Sequence, residues 1–148
     1  MGATAVVNTN ELAAIDKELA KIQAIHRMGV VRKGVNRSLT PPSSRVKENL
    51  PKPGYPGDKP GLKPLRETLG KRVVDYPSGK VVGVLGYRYP AGAHGHLVEE
   101  GHELVIRGES RGNVEGKHYI DQAATATEGQ QKAILDRTVG EAVDAARR

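Results

Sequence analysis

Apolar residues recur every three or four positions early in the chain. Leu12, Ile15, Leu19, Ile22 and Ile25 fall on one side, with Asp16, Lys17, Glu18 and Lys21 turned away. That period predicts an amphipathic helix. Asn8 and Glu11 have the spacing of a capping box, and Val7 and Leu12 that of a hydrophobic staple, so the helix is expected to start near residue 9. The pattern carries it through Val30 and Val31 to 37, across a Gly29 that costs about 1 kcal/mol relative to alanine. Residues 1–8 are small and aperiodic and read as a flexible arm.

The period vanishes at Ser38. Seven prolines (Pro41, Pro42, Pro51, Pro53, Pro56, Pro60 and Pro64) stand between there and 64. Proline fixes φ and removes a donor, so 38–64 is expected to be an extended, polyproline-like arm, draped over a neighbouring subunit or a nucleic-acid backbone. A short helix or turn follows at 61–69. Two valine-rich runs, 71–76 and 80–87, then flank Pro77, Ser78 and Gly79, which predicts an antiparallel hairpin. Gly83 and Gly86 in the second run signal a bulge or a close backbone approach. Residues 102–107 read as a third strand and 113–115 as a fourth. From His118 the pattern is helical to the end, interrupted at Gly129, giving one kinked helix or two. The expected architecture is a single α+β domain: an antiparallel sheet of about four strands (65–116), packed with a long N-terminal helix (9–37) and a C-terminal helix (117–147), plus the proline-rich arm.

Composition narrows the picture. The 148 residues include five tyrosines but no Phe, Trp or Cys. The core must be aliphatic and thin, which suggests that neighbouring subunits complete it. Disulfides, thiolate zinc sites and a cysteine nucleophile are excluded. No apolar run approaches the roughly 20 residues of a membrane span, and the N-terminus lacks the pattern of a signal peptide. Residues 1–75 hold 14 Lys/Arg against 7 Asp/Glu, whereas 76–148 hold 9 against 10. The excess positive charge therefore lies entirely in the first half, where it would attract nucleic acid or an acidic partner protein.

Candidate chemistry concentrates at 93–101. His94 and His96, with His102, Glu99 and Glu100 beside them, are metal-ligand residue types, and on a strand His94 and His96 would share a face. No metal-binding motif of defined spacing accompanies them. Adjacent carboxylates on a strand point to opposite sides, which argues against Glu99 and Glu100 as an acid/base pair. The favoured reading is a structural corner of His96, Leu97, Val98, Glu99 and Gly101 that locks a small sheet to a helix, its histidines bonded to backbone carbonyls. Nucleophile elbows, phosphate-cradling loops and the signatures of known nucleic-acid modules are lacking, so neither an enzyme nor a bound cofactor or metal is expected.

Taken together, Gly61, Leu62, Leu65 and Arg66 ahead of the valine-rich hairpin, the corner His96, Leu97, Val98, Glu99 and Gly101, and the closing helix resemble the neck or tail-completion protein family of long-tailed bacteriophages. Glu100 stands where that family's corner has an aromatic residue, and 117–123 replaces its proline-containing segment without either proline. The resemblance implies a structural virion protein of the head–tail connector region. Such a protein forms a homo-oligomeric ring, expected to be a hexamer, between the adjacent head-connector protein and the tail terminator or tail tube proteins. Genomic DNA would pass through its channel without sequence specificity and without membrane contact. Its place would be the virion neck, after assembly in the host cytoplasm. Arg27, Arg32, Lys33, Arg37, Lys47, Lys52 and Lys59 are then the candidate DNA- or partner-facing residues. A tail terminator and a stand-alone basic nucleic-acid-binding protein are the alternatives.

Overall fold

The computed structural model describes residues 9–27, 29–52 and 63–147. In chain order these form α1 (Thr9–Arg27), α2 (Val30–Ser38), α3 (Thr40–Asn49), α4 (Leu65–Thr68), β1 (Leu69–Asp75) and β2 (Val81–Tyr87). There follow α5 (Gly95–Glu100), β3 (Gly101–Ile106), β4 (Glu109–Glu115), α6 (Tyr119–Ala126) and α7 (Glu128–Arg147). The fold is α+β, as expected, but its strands do not share one sheet. They make two separate antiparallel hairpins, β1–β2 and β3–β4, with α5 inserted between them.

The expected N-terminal helix of 9–37 is two helices. Gly29 adopts φ 71°, left-handed backbone that ends α1 and lets α2 set off in a new direction. The expected cap at Asn8 and the arm 1–8 lie outside the described residues. The expected extended arm of 38–64 is overturned over 40–49, which is helical. Pro41 and Pro42 occupy the first turn of α3, where backbone N–H groups have no intrahelical acceptor and proline's missing donor costs nothing. Pro42 is fully buried there. The helix stops at Asn49, and Leu50 turns to extended backbone ahead of Pro51. Residues 53–62 lie outside the described residues.

The first hairpin follows its sequence signal. Leu69 pairs with Tyr87 and Asp75 with Val81 in unbroken register, and Tyr76 and Lys80 flank the turn. Gly83 permits a close approach and makes no bulge: a Cβ there would come within 2.9 Å of Val35 of α2 and of Leu39, which follows it. The core is small and aliphatic. Val46, Leu50, Leu69 and Ala123 are buried together, with Leu65, Leu85, Tyr87, Tyr119 and Ile120 packed around them. α3 thus meets α6 and β1, while α2 packs on α7 and on the first hairpin. The α2–α7 contact is close because Gly34 presents no side chain to Leu135 and Thr138.

The C-terminal stretch expected as 117–147 is also two helices, broken at Thr127 and not at Gly129. Thr127 is buried, its hydroxyl donates to the Ala123 carbonyl at 2.8 Å, and it accepts from Gln131 at 3.1 Å. Gly129 sits inside the first turns of α7 with nothing near it. No described helix is long and apolar enough to cross a membrane.

Candidate functional site

The stretch 93–101 is helical where it matters, so the strand-face arguments for its histidines and acids do not apply. α5 follows β2 through a turn whose Tyr89–Pro90 peptide is cis. Gly95 opens the helix tightly against Tyr87; a Cβ there would overlap the tyrosine ring. On a helix, neighbouring residues point about 100° apart, not to opposite faces. Glu99 consequently turns inward and is half-buried, while Glu100 stays exposed.

Glu99 uses both carboxylate oxygens. The Tyr87 hydroxyl donates to Oε1 at 2.6 Å, and the Ile120 backbone N–H donates to Oε2 at 3.1 Å. Ile120 lies in the first turn of α6, whose N-cap residue His118 has left-handed backbone and no side-chain cap. Glu99 therefore supplies from another helix both the acceptor and the negative charge that a helix N-terminus favours. The backbone completes the joint. Lys117 N–H donates to the Val98 carbonyl at 2.8 Å and His118 N–H to that of Glu99 at 3.2 Å, satisfying carbonyls at the end of α5. One side chain thus links the end of the first hairpin, α5 and the start of α6. Burial, reinforced by the hydrogen bond to Glu99 and its charge, pushes the Tyr87 phenol far above its ordinary value. With both oxygens occupied, Glu99 ties these structural elements together.

Gly101 leaves α5 with φ 83° and ψ 174°, a region open essentially to glycine alone. Leu97 and Val98 are half-buried in the helix between. His96 places Nδ1 2.7 Å from the Ala93 carbonyl oxygen, and His102 places Nδ1 3.4 Å from that of Leu97. His94 precedes the helix and is exposed. Among the described residues no three His, Asp or Glu side chains converge as metal ligands.

The basic candidates scatter. Arg32 and Lys33 line one wall of an open groove of about 740 Å³ between α2 and β1, and Lys71 and Arg72 line the other. Arg37, Lys47 and Lys52 are exposed and outside it, and Lys59 lies outside the described residues, as does the side chain of Arg27. Of the family-like turn, Leu65 and Arg66 open α4 and are half-buried, whereas Gly61 and Leu62 lie outside the described residues. Sequence reasoning missed Tyr87, Lys71 and Arg72. Adjacent lysine and arginine at the start of a predicted strand were the available signal for the last two; nothing in the pattern marked Tyr87.

The arrangement defines an α+β chain with two independent hairpins pinned at a glycine-framed corner, and a basic groove apart from that corner. Compared with protein-family models, curated proteins and solved structures, the chain matches none.

Proposed function

We propose that this chain is a structural subunit of the neck of a long-tailed bacteriophage, without catalytic activity, that assembles as a ring joining head connector to tail around the DNA channel. The sequence resemblance motivates the reading, and one observation supports it most. The β3–β4 hairpin projects from the corner with nearly every residue exposed, yet it carries aliphatic side chains. Leu104, Ile106 and Val114 share one face by strand alternation, and Val105 lies on the other. They are 38, 48, 40 and 55% exposed.

A two-stranded hairpin is marginal in water unless something covers it, and clustered exposed aliphatics mark a surface meant for another chain. Leu19 and Ile22 on α1 are also half exposed, so these two positions of its apolar face are incompletely covered by the described residues. A ring subunit would complete both surfaces with neighbouring copies, and a sixfold ring is the arrangement proposed.

Native mass spectrometry of the chain with its neighbouring connector protein tests the reading. The wild type is expected to enter one defined higher-order ring. The Leu104→Ser/Ile106→Ser variant should keep its melting temperature, because exposed substitutions usually change stability by less than about 0.5 kcal/mol, yet stay out of the ring. A wild-type chain that never leaves the monomer, or a variant that assembles as well as wild type, would sink the proposal.

A further inference from the structure

The groove between α2 and β1 has a construction that the corner does not share. Arg32, Lys33 and Asn36 stand on one wall, Lys71 and Arg72 on the other. Two cross-links brace it. The Arg32 guanidinium pairs with Asp75, and the Lys71 ammonium donates to the Asn36 carbonyl at 3.0 Å and the Thr40 hydroxyl at 2.9 Å. Lys71 is thereby held in place with one N–H left over. The side chains of Lys33 and Arg72 make no hydrogen bond or ion pair among the described residues, and both are exposed. Four cations against one carboxylate give the groove a strongly positive field.

We propose that this groove binds the phosphate backbone of duplex DNA without regard to sequence. The lining chemistry favours a polyanion's backbone over stacked bases or an apolar partner. Among the described residues no aromatic side chain lines the groove, so these offer no stacking platform for the bases of a single strand. Its apolar lining is Val73, which is buried, and Val74, which is half-buried, so it lacks the large anchor that a protein partner would fill. Fixed and free cations on two facing walls suit paired phosphates, with Arg32 able to exchange its Asp75 partner for a phosphate oxygen. The inference rests on the neck reading only for the choice of DNA as the polyanion.

Fluorescence anisotropy of the full chain with a short mixed-sequence, fluorescein-labelled duplex tests it, titrated between about 50 and 200 mM salt. The wild type should bind at the low end with a steep salt slope. Lys33→Gln and Arg72→Gln, which remove no bond seen in the structure, should each lower the log–log slope by about 0.9, and the double variant should bind about tenfold more weakly. Arg137→Gln, an exposed charge on α7 outside the groove, should bind as wild type does. Thermal melts of all variants establish that they fold. No duplex retention by the wild type, an unchanged slope in the double variant, or an equal loss in Arg137→Gln would overturn the proposal. So would groove-dependent binding of a poly-glutamate peptide in place of the duplex, which would assign the groove to an acidic protein. Native mass spectrometry of the same variants reports on ring assembly separately, so either reading can fail without the other.

Discussion

Replacing Gly101 by alanine is expected to destabilise the protein by about 3–5 kcal/mol, the largest effect of any single methyl group in the corner. Two costs add. The backbone at φ 83° and ψ 174° excludes an L side chain, and such conformations cost on the order of 1–3 kcal/mol. The new Cβ would also overlap the Val114 carbonyl oxygen and lie 2.7 Å from the Gly116 nitrogen. Those are backbone atoms and cannot swing aside as a flexible side chain would. For a chain of this size each kcal/mol lowers the melting temperature by about 2–4 °C, so a fall of roughly 10 °C is expected by calorimetry. Gly108→Ala is the matched control. Its φ is also 83°, but nothing lies within 4 Å, so it should lose only about 1 kcal/mol. Similar losses in the two variants would mean that the packing at the corner contributes little.

Removal of the Glu99 carboxylate should be nearly as severe. Glu99→Ala leaves the Tyr87 hydroxyl and the Ile120 N–H without their acceptor and uncaps α6, for an expected loss of about 2–4 kcal/mol. Tyr87→Phe gives up one of the two bonds and should lose about 1–1.5 kcal/mol. In a double-mutant cycle the pair should couple by at least about 1 kcal/mol. Denaturant titration measures all three quantities, and additivity of the two single variants would show that the bond contributes nothing.

Burial of the Tyr87 phenol, reinforced by this bond, sets a pH dependence. The folded state keeps the Tyr87 proton at a pH where the unfolded chain releases it at the ordinary value of about 10. Above that point the native state binds more protons than the unfolded one, so stability falls as pH rises; below it this group contributes no slope. Tyr87→Phe should flatten the alkaline limb of the stability curve and leave the neutral region parallel to wild type. An unchanged alkaline limb would show that the phenol is not protected by the fold.

Legibility in the sequence followed local chemistry closely and failed where tertiary contacts decided. The first hairpin is readable because valine alternation and the Pro77–Gly79 loop act within a few residues. The prolines misled for a specific reason. Pro41 and Pro42 carry the same signal whether they break a helix or begin one, and only the burial of Pro42 and Val46 against the rest of the core selects the second. Within a single helix Gly29 is only a cost, whereas its left-handed φ makes it the point of division. The corner stretch was marked by its density of glycines and polar groups. Its helical form was not legible, since six residues are too few for a periodicity to show. Glu99 was singled out beside Glu100, but the difference between them depends on Tyr87, twelve positions away, and on the open end of α6.

Because the two hairpins share no strand, the pairing of one places no constraint on the pairing of the other. The Arg107–Gly108 tip, where both residues adopt positive φ, sits at the far end of β3–β4 from Gly101. Adding a residue pair to each strand at that tip would lengthen the projection by about 7 Å while every contact around Glu99 stayed as it is. Reach is therefore an adjustable dimension of this fold, one that can change without disturbing the body that carries it.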